Sequence, residues 1–88
     1  MQLLGFFKNG MVLQRDKEIV IAGLSKGTTV DASIKEGNKK LTKGTADVKD
    51  GKFTLKMKGI PAGGPYKLNI EDGDEKIVIA DVYMGGLW

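Results

Sequence analysis

At 88 residues the chain has room for one domain, whose thin core buries only ~60–65% of the surface its unfolded form exposes. With 41% hydrophobic and 28% charged residues, the composition argues against disorder and membrane insertion, and no apolar run approaches the ~20 residues that span a bilayer. The net charge of +3 rests on lysine, with Arg15 the one arginine, whereas readers of bases and phosphates lean on arginine forks and stacked aromatics, so no nucleic-acid partner is expected. Period-two alternation then recurs along the chain. Glu18 to Leu24 is apolar and β-branched and ends at Ser25-Lys26-Gly27. Thr28 to Glu36 sets Val30, Ala32 and Ile34 on one face and Thr29, Asp31, Ser33 and Lys35 on the other. Gly37-Asn38 tolerates positive φ and predicts a tight hairpin into Lys39–Val48. Lys49-Asp50-Gly51 predicts a second turn, into Lys52–Lys58 with Phe53, Leu55 and Met57 inward and the lysines on the wet face. Gly59 to Gly64 reads as a break, because proline lacks a donor and glycines weaken a ladder. Pro65–Glu71 resumes alternation with Tyr66, Leu68 and Ile70, Asp72-Gly73 turns the chain, and Asp74–Val82 carries Ile77 and Ile79.

No stretch of eleven or more residues keeps a helical period. The pattern predicts an all-β fold: a small antiparallel β-sandwich of about seven strands, immunoglobulin-like in architecture, filling residues 1–88 as one domain. The Cys–Trp–Cys signature of true immunoglobulin domains is absent, so the likeness concerns architecture only.

The missing residue types narrow the chemistry. There is no cysteine and no histidine, which removes thiolate nucleophiles, disulfides, thiolate zinc sites and the commonest general base near neutral pH. The two serines, Ser25 and Ser33, have no histidine to take their protons, so neither is an activated nucleophile. Glu71-Asp72-Gly73-Asp74-Glu75 crowds four carboxylates about one glycine, but their spacing departs from the twelve-residue calcium loop, and a solvated hairpin tip is the expectation. Gly63-Gly64-Pro65 follows no strand and opens no helix in this reading, which argues against a phosphate loop and for backbone geometry. No catalytic residue, cofactor or metal is expected within the chain.

Six aromatics are present: Phe6, Phe7, Phe53, Tyr66, Tyr83 and Trp88. Phe53 and Tyr66 fall on inward positions. Tyr83, Met84, Leu87 and Trp88 continue the last strand as an apolar end, where terminal residues are usually polar and frayed. These four are read as a domain interface, with further chain expected beyond Trp88. The opening Met1–Phe7 is too short for a signal-peptide apolar region and has no basic start, so either the chain is intracellular or a leader has been removed.

Three stretches together resemble one family. Phe7-Lys8-Asn9-Gly10-Met11-Val12-Leu13-Gln14-Arg15-Asp16-Lys17 resembles the opening of sialate O-acetylesterase-like proteins, with a Met-Val-Leu-Gln-Arg core. Pro61-Ala62-Gly63-Gly64-Pro65-Tyr66, preceded by Gly51-Lys52-Phe53-Thr54-Leu55, resembles the middle of the same N-terminal domain. Asp81-Val82-Tyr83-Met84-Gly85-Gly86-Leu87-Trp88 resembles the segment leading into the catalytic domain. Glu18, Ala22, Phe53 and Gly86 depart from that pattern, standing where proline, an aromatic, tryptophan and an acidic residue are frequent. The resemblance implies an N-terminal sandwich followed by an SGNH-type hydrolase domain, whose serine nucleophile lies in a Gly-Gln-Ser-Asn block beyond the position of Trp88. The whole enzyme is expected to remove O-acetyl groups from sialic acids or related sugars. This chain is expected to supply only the buttressing sandwich, partnered by the catalytic domain of its parent. The alternative is a carbohydrate-binding or interaction module that works without an enzymatic partner.

Overall fold

Alternation buries one face of each segment, and the computed structural model, which describes residues 1–86, sets those faces against one another in two sheets. In chain order the strands are β1 (Gln2–Leu4), β2 (Val12–Gln14), β3 (Ile19–Leu24), β4 (Thr29–Glu36), β5 (Lys39–Asp47), β6 (Lys52–Met57), β7 (Gly63–Glu71) and β8 (Lys76–Gly85). The small sheet has the order β1-β3-β6 and the large one β2-β8-β7-β4-β5. The fold is therefore the expected all-β sandwich. Its strand order is that of an immunoglobulin-type domain whose first strand is split between the two sheets.

The inward residues meet in one core. Ile19 and Ile21 of β3 and Phe53, Leu55 and Met57 of β6 face Val30, Ala32 and Ile34 of β4, Leu68 and Ile70 of β7, and Ile79, Val82 and Met84 of β8. The predicted inward triplets of β4 and β6 are all buried. At the seam where β5 lies against β6, the backbones approach closely. A Cβ on Gly44 would fall against the Lys56 carbonyl oxygen and lie 2.9 Å from Met57 Cγ, so this position admits no side chain without displacing β6.

Several details depart from the sequence pattern. β1 and β2 are additional strands of 3 residues each. The chain leaves the small sheet after β1, adds β2 at the edge of the large sheet, and returns to form β3 beside β1. β2 pairs with β8 in parallel, whereas the other ladders are antiparallel. β7 begins at Gly63, inside the stretch read as a break. Pro65 is accommodated because the β7–β8 register shifts between Gly63 and Tyr66, and β4 reaches β7 only from Lys67 onward. No ladder donor is required of the proline there.

Candidate functional site

β8 changes phase partway along. Leu68 pairs with Ile79 and Tyr66 with Val82, so β8 spends one extra residue against β7. Asp81 has φ 54°, which marks a β-bulge with a residue in the left-handed region. The bulge is held by the loop before β2: the Ala80 N–H donates to Asn9 Oδ1 (2.9 Å), and the Gly10 N–H donates to the Ala80 carbonyl (3.0 Å). Before the bulge the odd-numbered Ile79 points inward; after it the even-numbered Val82 and Met84 do.

That shift decides where the residues read as an interface stand. Met84 is 3% exposed and packed in the domain's own core, whereas its neighbour Tyr83 is 41% exposed on the outer face. Leu87 and Trp88 lie outside the described residues. Beside Tyr83, in register across the parallel pair, stands Val12, which is 63% exposed. On the other side the ring covers Gly64: a Cβ there would lie 2.8 Å from Tyr83 Cδ1 and 2.9 Å from the Val82 carbonyl oxygen. Gly64 also has φ 133°, which a side chain would strain. Glycine is thus required by close approach as well as by backbone angle.

Parts of the three stretches that carry the resemblance therefore converge, while Gly51–Leu55 of the middle one lies at β6 in the small sheet. Val12, Leu13 and Gln14 pair with Tyr83, Met84 and Gly85, and Gly63 pairs with Met84 from the opposite side. The Tyr83 N–H donates to the Met11 carbonyl (3.0 Å) and the Arg15 N–H to the Gly85 carbonyl (2.9 Å). Residues far apart in sequence thus build one corner of the large sheet. Its outer surface presents Val12, Tyr83 and Pro65 to solvent, an apolar patch on an edge that ends in a strand of 3 residues. Phe6, on the loop that crosses from β1 to β2, is 95% exposed.

Elsewhere the candidate chemical groups are engaged structurally. In the acidic turn, Ser25 Oγ donates to Asp72 Oδ2 (2.7 Å) and the Glu75 N–H donates to Asp72 Oδ1 (2.9 Å). The Ser25 hydroxyl and then the Glu75 amide hold the Asp72 carboxyl below the usual carboxylate range, because both donors favour the charged form. A carboxylate so held is a weaker base, which leaves Ser25 unactivated. Ser25 Oγ in turn accepts from the Gly27 N–H (3.0 Å), tying the β3–β4 turn to the β7–β8 turn. Among the described residues no group of three His, Cys, Asp or Glu stands close enough to hold a metal ion.

A second feature, on the outer face of the large sheet, was not singled out in the sequence. Asp31, Ser33, Lys40, Lys43, Thr45, Asn69 and Glu71 line a shallow polar groove there. The sequence clue was two short uncharged polar residues, Ser33 and Asn69, at outward positions of strands otherwise carrying lysines and carboxylates.

No family model and no curated protein matches this sequence. Among solved structures the chain is similar to a carbohydrate acetylesterase from Xanthomonas citri, with a TM-score of 0.76 and 26% identity. The similarity covers 90% of this chain and 18% of that one. The chain thus spans about a fifth of the length of the esterase it matches, and a sandwich of this architecture is built into a larger polypeptide there.

Proposed function

We propose that residues 1–88 form the non-catalytic accessory domain of a carbohydrate esterase, packed against a serine hydrolase domain of the same polypeptide. The observation that carries this reading is the similarity of nearly the whole chain to a small part of a carbohydrate acetylesterase. The residue inventory supports a non-catalytic role: the chain has no histidine or cysteine, Ser25 is bonded to a carboxylate of lowered basicity, and Ser33 lies on a lysine- and carboxylate-lined sheet face.

The hydrolase domain docks on the corner of β2, β7 and β8. Tyr83 and Val12 supply its apolar centre, Leu87 and Trp88 follow directly in sequence, and Met84 contributes from beneath by holding β8 in place. Interfaces between domains of one chain commonly bury ~600–1,500 Å², so this patch is the centre of a larger contact. The parent enzyme removes O-acetyl groups from sialic acids or related sugars, a substrate assignment that rests on the resemblance carried by the three sequence stretches.

The test of the non-catalytic role is hydrolysis of 4-nitrophenyl acetate by the purified 88-residue chain. The expected rate equals that of buffer carrying the same concentration of free lysine. Saturable turnover that survives further purification and tracks the protein through it overturns the reading.

A further inference from the structure

The groove on the large sheet stands apart from the docking corner, and of its polar side chains Thr45 is engaged in the fold, its hydroxyl donating to the Val30 carbonyl (3.2 Å). Ser33 and Asn69 form its floor. They face each other across β4 and β7, and they are only 7% and 8% exposed. Neither side chain bonds another described residue, and no side-chain polar atom among the described residues is sealed from solvent without a partner. Their polar atoms therefore meet water in the groove and are free to exchange it for a ligand.

The walls carry opposite charges at opposite ends. The β4–β5 register shifts between Ile34 and Lys35, so that Ile34 pairs with Thr42 and Lys35 with Lys40. Leu41 is the extra residue. Without that bulge Lys40 and Lys43, three apart, would project from opposite faces; with it both line the groove. Neither lysine is ion-paired among the described residues. At the far end Asp31 pairs with Glu71 in register, and only Glu71 has a cationic neighbour, Lys76 at 4.0 Å. Between the two ends Lys43, Ser33 and Asn69 form a ladder across three adjacent strands, about 10 Å long at the usual strand spacing.

We propose that this groove binds an acidic saccharide, its carboxylate at Lys40 and Lys43 and its hydroxyls on Ser33, Asn69 and the Asp31–Glu71 pair. The side chains select that class. Serine and asparagine both donate and accept, as ring hydroxyls do, and carboxylates accept from hydroxyls. A second anionic group at the Asp31 end is repelled, which disfavours polyphosphates and nucleic acid. No aromatic or branched aliphatic side chain lines the groove, so a nucleobase finds no ring to stack on. The absence of an aromatic platform in the groove limits affinity to the millimolar range, about −4 kcal/mol. The inference stands on the groove alone and is independent of the accessory-domain reading.

The test is a ¹H–¹⁵N titration of the 88-residue chain with glucuronosyl-xylose, a disaccharide with a single carboxylate, against sodium acetate at matched ionic strength and against a neutral disaccharide. The expected result is saturable shifts at the Ser33, Lys43, Thr45 and Asn69 amides with the acidic disaccharide, and weakening by roughly fivefold in Lys43→Gln. Asn69→Ala is expected to weaken binding similarly, its spectrum reporting directly whether the fold is kept; Lys43→Gln alters an exposed side chain and decides the matter if Asn69→Ala unfolds. Equal shifts with acetate, equal affinity for the neutral disaccharide, unchanged affinity in Lys43→Gln, or no shifts at all overturn the proposal.

Discussion

Truncating Met84 to alanine and Tyr83 to serine perturbs adjacent residues that the bulge at Asp81 sends in opposite directions. Met84 is 3% exposed in the core, and deleting a buried methionine side chain to alanine costs about 2–5 kcal/mol, set by how far the cavity collapses. A domain of this length holds on the order of 4–13 kcal/mol in all, so Met84→Ala removes a large fraction. Its melting midpoint falls by at least about 8 °C, at ~4–8 °C per kcal/mol. Tyr83 is 41% exposed and rests on Gly64 beside Val12. Its removal forfeits about 0.2–1 kcal/mol of cross-strand contact. Urea denaturation followed by circular dichroism reads both changes at constant slope. If Tyr83→Ser costs as much as Met84→Ala, the phase assignment after the bulge is wrong, and with it the outward placement of Tyr83 on which the docking corner depends.

Two further outcomes concern other parts of the fold. Gly44→Ala sets a Cβ against the Lys56 carbonyl oxygen and Met57, and its cost of about 1–3 kcal/mol from forced backbone displacement exceeds the ~0.5–1 kcal/mol that alanine ordinarily returns over glycine in a strand; a urea midpoint at or above that of the native chain contradicts the close approach of β5 and β6. Asp72 has a folded pKa below its unfolded value, so its contribution is fully present above about pH 4 and is lost as pH falls through the folded pKa. Urea midpoints measured from neutral pH down to about pH 2 are therefore expected to decline more steeply below pH 4 in the native chain than in Asp72→Asn, and parallel profiles contradict the role given to the Ser25–Asp72 bond.

Much of the sandwich was legible because long alternating segments carry their own burial pattern. Val30, Ala32 and Ile34, and Phe53, Leu55 and Met57, are inward in the structure as in the sequence. The turns at Gly37, Gly51 and Gly73 all take positive φ, which is why glycine announced them. What escaped notice lacks a local signal. β1 and β2 have 3 residues each, too few for a period to declare itself, and β2 exists because β8 offers it an edge. Gly63 and Gly64 read as breakers, yet they belong to β7 because Tyr83 lies over Gly64, an effect of a residue nineteen positions away. The bulge in β8 did leave a trace, since Ile79 and Val82 are three apart where alternation requires two. The bulge at Leu41 is harder to read, because lysines on both sides of it look like an ordinary wet face. The groove stayed hidden for the same reason: its floor pairs Ser33 with Asn69 through a register that only the folded sheet defines.

The central claim is that this sandwich belongs to a larger esterase, and reading the coding DNA in frame past the codon for Trp88 tests it most directly. The account predicts continuation into a serine hydrolase domain with a Gly-Gln-Ser-Asn block within the first few residues. A stop codon directly after Trp88, or an unrelated downstream domain, contradicts it.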